Sequence, residues 1–147
     1  EDTSVFGNVE EIFGIPTLQY LYMDDCQIGL DFESIPDNET LSILSLNDTT
    51  VLSDPTYNNG GRIPLWEHVD MFDHFPNLTE LYLASQELEN IDFVEKLPGL
   101  MFLDITDNSV TSLKPLENLG SFRAVWCGRN TILENVSADS NIAVYMD

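Results

Sequence analysis

A pattern that returns every 22 residues limits this chain to architectures built by stacking one small unit on the next. Leu78-Thr-Glu-Leu81-Tyr-Leu83 recurs as Leu100-Met-Phe-Leu103-Asp-Ile105 and as Phe122-Arg-Ala-Val125-Trp-Cys127, each step spanning 22 residues. Upstream, Leu18-Gln-Tyr-Leu21-Tyr-Met23 and Leu41-Ser-Ile-Leu44-Ser-Leu46 stand 23 residues apart. All five read apolar-x-x-apolar-x-apolar. A unit this short cannot bury its own apolar side, and stacking makes one continuous core out of many small ones.

The remainder of each unit repeats too. Three residues beyond the last strand apolar come Cys26, Thr49, Gln86, Asn108 and Asn130, all able to hydrogen-bond backbone groups from inside a turn, the thiol weakly. Two residues further on come Ile28, Val51, Leu88, Val110 and Ile132. Apolar residues then recur at every third position, as Leu88, Ile91, Val94, Leu97 and again as Val110, Leu113, Leu116, Leu119. That period fits 3₁₀ or irregular helical turns rather than long α-helices. Each unit is therefore expected to be a short strand, a polar turn and a tight return.

These features resemble the leucine-rich repeat family. The 22-residue unit, the Asn108 and Asn130 positions and the Val110-x-x-Leu113-x-x-Leu116 return are similar to its internalin or SDS22-like class. The resemblance covers roughly residues 6 to 133. It implies an α/β solenoid with parallel strands on a concave face and short helical turns on a convex one, and it implies a binding role without naming a partner. A single domain over residues 1–147 is expected, with five repeats, a partial N-terminal unit and a C-terminal cap strand.

Three segments depart from the period. Phe6, Val9, Ile12 and Ile15 extend the three-residue spacing backwards, so the chain is expected to start in the back half of a unit; a self-capping mature terminus and a piece of a longer array are both open. Between the second and third strands the offset is 37 residues, about 15 over the period. This insertion, about 53–74, opens with a turn cluster from Asp54 through Tyr57 to Arg62. A short convex helix is expected after Pro64, with Leu65, Val69 and Phe72 on one face. It is either a tolerated loop or a partner-contacting excursion. Finally, Ile142, Val144 and Met146 alternate as in a last strand of a shortened unit.

There are 26 Asp and Glu against five Lys and Arg, a formal charge of −21. Neutralising phosphates takes cations, so sequence-independent nucleic-acid binding is close to ruled out and no nucleic-acid partner is expected. No apolar run approaches the ~18 residues of a membrane span, so no membrane insertion is expected. Residues 1 to 61 hold 12 acids and no Lys or Arg; all five cations, Arg62, Lys96, Lys114, Arg123 and Arg129, come later.

Nothing in the chain spells catalysis, and neither a cofactor nor a metal is expected. His68 and His74 are spaced wrongly for zinc ligands one helical turn apart. Gly60-Gly61 lacks the Lys-Ser/Thr of a phosphate loop. Asp24, Asp25, Asp48, Asp104 and Asp107 crowd the strand ends without calcium-loop spacing. Cys26 and Cys127 sit four strands apart, roughly 19 Å at ~4.8 Å per strand, too far for a disulfide; both are expected buried. Four sequons begin at Asn38, Asn47, Asn77 and Asn135 where about two are expected by chance, which is weak evidence for glycosylation.

Function is read from register. Side chains alternate across a strand, so the residues between the repeat apolars face the open surface. One row is Tyr20, Ile43, Glu80, Phe102, Ala124; the next is Tyr22, Ser45, Tyr82, Asp104, Trp126; a third is Asp24, Asn47, Ala84, Thr106, Gly128. Tyr82, Phe102 and Trp126 are expected to form a patch, with Tyr20 and Tyr22 as a second cluster, Glu80, Asp104 and Asp24 around them, and Arg129 beside Trp126. Such surfaces mark interaction sites, although cross-strand aromatic pairs also stabilise sheets. The expected function is a non-enzymatic protein-recognition module, secreted or at a cell surface, with an intracellular adaptor as its cytoplasmic version. A glycan- or Ca²⁺-binding module and a structural spacer are the alternatives.

Leu103 is expected at the centre of the shared core. Leu103→Asp buries an unpaired charge and should unfold the array; a circular-dichroism melt retaining the wild-type transition would contradict the register.

Overall fold

The computed structural model describes residues 3–53 and 61–147, with the backbone alone for residues 3–8. The turn residues Asp54–Gly60, Tyr57 among them, and the side chain of Phe6 lie outside the described residues. In chain order the strands are β1 (Thr3–Asn8), β2 (Tyr20–Tyr22), β3 (Cys26–Gly29), β4 (Ile43–Ser45), β5 (Thr50–Leu52), β6 (Arg62–Ile63), β7 (Glu80–Tyr82), β8 (Phe102–Asp104), β9 (Ala124–Trp126) and β10 (Ala143–Tyr145).

The five repeat strands and β10 form one sheet in the order β2-β4-β7-β8-β9-β10, parallel throughout. Its register follows the repeat: Leu21 faces Leu44, then Leu81, Leu103, Val125 and Val144 in one row. Leu44, Leu81, Leu103 and Val125 are completely buried. Val144 faces Val125, so the last unit is three residues short, with Asn141 where Phe122 stood one unit earlier. Ile142 and Val144 are half-buried, but Met146 is exposed.

Behind the sheet the three-residue spacing folds as expected. The 3₁₀ segments are Phe32–Ser34, Leu65–His74, Asp92–Lys96 and Lys114–Asn118. With three residues per turn, every third side chain points the same way, and Leu88, Ile91, Val94, Leu97, Val110, Leu113, Leu116 and Leu119 are all buried. In the insertion, His68 departs from helical geometry (φ −130°, ψ 28°) and kinks the segment. The buried face is consequently Leu65, Met71 and Phe72, while Val69 is only half-covered. Phe72 stacks on Phe93 and Phe75 on Phe13, with centroids 5.2 and 5.0 Å apart.

Two larger features also differ from the sequence expectation. A second sheet, β1-β3-β5-β6, lies beyond the turns, where the return was expected to run without strands. β3 pairs β5 in parallel through Ile28 and Val51, and β6 returns antiparallel against β5, pairing Val51 with Ile63. The insertion thus doubles back as a strand before its helix. At the N-terminus, Thr3–Asn8 is a strand on β3 and Glu10–Phe13 one helical turn. Phe13 is buried there while Ile15 is 45% exposed, so the three-residue spacing through Ile15 does not describe this segment.

The turns are joined by a ladder of buried polar side chains. Each turn carries a non-glycine residue with positive φ, namely Asp25, Asp48, Ser85, Asp107 and Arg129, between 52° and 58°. The next residue points inward. Asn108 Oδ1 accepts from the amides of Gln86 (3.0 Å) and Leu88 (2.9 Å), and its Nδ2 donates to the carbonyls of Leu83 (2.9 Å) and Ile105 (2.8 Å). Asn130 repeats this one unit on, accepting from Val110 N and donating to Ile105 O. Gln86 Nε2 donates to Leu46 O and Thr49 O, and Thr49 Oγ1 to Met23 O.

Removing a ladder amide leaves buried backbone groups unpaired, at about 1–3 kcal/mol each. Asn108→Ala should cost about 3 kcal/mol and lower Tm by roughly 10 °C. Exposed Asn118→Ala should stay within about 0.5 kcal/mol. Equal melts for the two variants would contradict the ladder's role.

Candidate functional site on the open face of the sheet

Strand alternation sends every second side chain of the six-stranded sheet away from the core. In register, the first outward row is Tyr20, Ile43, Glu80, Phe102, Ala124 and Ala143. The second is Tyr22, Ser45, Tyr82, Asp104, Trp126 and Tyr145. Tyr20 and Tyr22 are 57% and 61% exposed at one end, and Trp126 and Tyr145 36% and 49% at the other.

Ring contacts on this face run from Phe102 through Trp126 to Tyr145. Phe102 and Trp126 are tilted at 43° with centroids 6.4 Å apart; Trp126 and Tyr145 stack at 5.3 Å and 15°. Tyr82 is tied instead to its own strand, its hydroxyl donating to Glu80 Oε2 at 2.6 Å. Tyr145 was absent from the sequence reading of the site. The signal was present, because inward Ile142 and Val144 leave Tyr145 outward. The place where the chain passes Gly128 allows no side chain, since a Cβ there would lie 2.7 Å from the Asp147 carbonyl oxygen.

Carboxylates are interleaved with the rings. Glu80 stands across from Phe102, and Asp104 across from Trp126. Asp104 Oδ1 accepts from the Thr106 amide at 2.9 Å, and Asp24 Oδ1 from Ser45 Oγ at 2.5 Å and the Asn47 amide at 3.0 Å. Burial, the hydrogen bond to Glu80 and the charges of Glu80 and Asp104 hold the Tyr82 phenol above the ordinary tyrosine range. The Cys127 thiol is raised by burial and then by Asp104. Cys26 is raised by burial and then by Asp24 and Asp25. Both cysteines are free, but Cys26 is only half-buried, contrary to expectation: it lies at the thinly covered N-terminal end of the ladder, with its thiol on Asp24 O at 3.2 Å.

The cations point elsewhere. Arg129 pairs with Asp107 at 3.3 Å, one turn along from the aromatic rows. Lys96 pairs with Asp73, Lys114 with Glu117 and Arg62 with Glu87, and Arg123 donates to Phe122 O. The histidines are separately engaged, His68 stacked on Phe32 at 4.0 Å and His74 against Asp37 at 2.7 Å. Among the described residues no cluster of three or more His, Cys, Asp or Glu is arranged to hold a metal ion. Asn38 of the first sequon is buried, its Nδ2 bonded to Phe13 O and Ile15 O.

Parallel strands in one sheet, 3₁₀ returns and an amide ladder between turns define one architecture. The chain has the leucine-rich repeat fold. Internalin C2 from Listeria monocytogenes matches it over 99% of this chain and 78% of its own, with a TM-score of 0.53 and 19% identity. The plant peptide hormone receptor RGFR1, solved in complex with RGF2, matches over 90% of this chain, with a TM-score of 0.58 and 14% identity. The match spans 20% of that receptor's length. No protein-family model matches the sequence, and no curated protein does. In this fold the outward rows lie on the concave face.

Tyr82 offers a direct probe of this face. Its raised pKa means that the folded protein keeps a proton which the unfolded chain loses above pH ~10. Its contribution to stability is present below that pH and is lost as pH rises towards the folded value. An ultraviolet titration should show one phenol ionising after the ordinary range, and Glu80→Gln should bring it back towards that range. A wild-type curve that completes within the ordinary range would contradict the geometry.

Proposed function

We propose that this chain is a non-enzymatic protein-recognition module that binds its partner through the concave face, in an extracellular or cell-surface setting. The observation that carries the reading is the ring run from half-buried Phe102 to exposed Trp126 and Tyr145, framed by Glu80 and Asp104. Cross-strand ring pairs account for part of this arrangement, but the core is complete without these rings, and aromatics rimmed by polar groups are what recognition surfaces present. Fold likeness to a receptor solved with its peptide hormone supports a protein or peptide as the occupant. The acidic, lysine-poor composition and the internalin-like repeat support a surface setting. No helix among the described residues is long and apolar enough to cross a membrane.

The test is affinity capture from host and neighbour-cell extracts. Wild type is compared with a Phe102→Ala, Trp126→Ala, Tyr145→Ala variant whose melt shows it folded. The variant should lose the proteins that the wild type retains specifically. Capture of the same proteins by both would move recognition off the concave face, to the insertion around Trp66.

A further inference from the structure

The concave face combines two kinds of group in one alternating arrangement. Along the first outward row, Glu80 is followed on the next strand by Phe102; along the second, Asp104 is followed by Trp126 and then Tyr145. Neighbouring strands lie ~4.8 Å apart, so each carboxylate sits within one side chain's reach of a ring. A cation resting on an aromatic face within about 6 Å of the ring centre is attracted by the ring quadrupole. Here the same cation would also find a carboxylate at the ring's edge.

We infer that the partner offers a cationic, extended peptide segment to this face, with arginine or lysine side chains lying on Phe102, Trp126 and Tyr145 and ending at Asp104 and Glu80. This rests on the protein-recognition reading above and adds the chemistry of the partner. Charge complementarity selects the occupant. The outward rows carry no Lys or Arg, and four of the five cations are paired with acids away from these rows. With a formal charge of −21, an acidic partner is repelled and a second copy of this chain equally so. The carboxylates are also oriented beforehand: Glu80 is held by the Tyr82 hydroxyl and Asp104 by the Thr106 amide. Six strands give a floor roughly 24 Å across, which about seven extended residues would span.

The protein's two tryptophans supply the assay. In nitrogen-15 spectra of the full chain, the indole signal of Trp126 reports the face and that of Trp66 is the control. The probes are an unstructured peptide of alternating arginine and glycine, the same peptide with citrulline for arginine, and a neutral β-linked oligosaccharide. The arginine peptide should shift Trp126 saturably, leave Trp66 in place, and bind at least about ten-fold more tightly than the citrulline peptide. Asp104→Asn with Glu80→Gln should weaken it about five-fold or more. Asp92→Asn with Glu89→Gln removes the same charge from outside the sheet's open face and should change it less than about two-fold.

Equal response to the arginine and citrulline peptides, a Trp126 shift with the oligosaccharide alone, or equal weakening by the two charge variants would each overturn the inference. If Trp126 ignores the arginine peptide while the aromatic variant still loses its captured proteins, recognition stands and the cationic partner falls. If capture too is unaffected by the aromatic variant, both fall.

Discussion

Every other feature of this molecule depends on how one unit's turn is fastened to the next. When units stack, the amides and carbonyls at the turns are taken out of water and need partners. Asn108 meets that need in two directions at once, accepting from Gln86 and Leu88 in the preceding unit while donating to Leu83 there and Ile105 in its own. Asn130 continues the chain of bonds. A side chain that bonds both units holds their register and not only their contact. The left-handed residue before it, Asp107 or Arg129, turns the backbone so that the amide can reach inward.

The ladder weakens towards the N-terminus, and the fold changes where it does. Thr49 and Cys26 are shorter or weaker hydrogen-bonding groups than asparagine, and among the described residues the Cys26 thiol reaches only Asp24 O. In those units the segments after the turn pair as β3 and β5, with β1 and β6 on their flanks, so backbone bonds supplement the side-chain ladder. Around Asn108 and Asn130 the corresponding segments form a single isolated bridge, Ser112 to Glu134.

Much of this was legible because the period constrains so tightly. Once Leu81, Leu103 and Val125 are placed in one row, alternation assigns Glu80, Phe102, Asp104 and Trp126 to the open face without further information. The second sheet was not legible because Ile28 and Val51 read equally well as core residues of a turn. Their pairing depends on what the neighbouring ladder positions leave undone. Tyr145 was missed for a different reason: the last unit is three residues short, so counting by the period put position one at Val144, where the structure has position four. The kink at His68 likewise redirects the insertion's buried face from Val69 to Met71. These are tertiary effects on short segments, where local pattern is weakest.

The central claim is that the repeat register turns an aromatic and acidic row into a binding face. Hydroxyl-radical footprinting of the chain alone and with a captured partner tests it most directly. In the free protein Tyr20, Tyr22, Trp126 and Tyr145 should label readily while Leu81, Leu103 and Val125 stay protected; on binding, protection should appear at Phe102, Trp126 and Tyr145. Protection confined to Trp66 and the segment around it, with Trp126 labelled as before, would contradict the account.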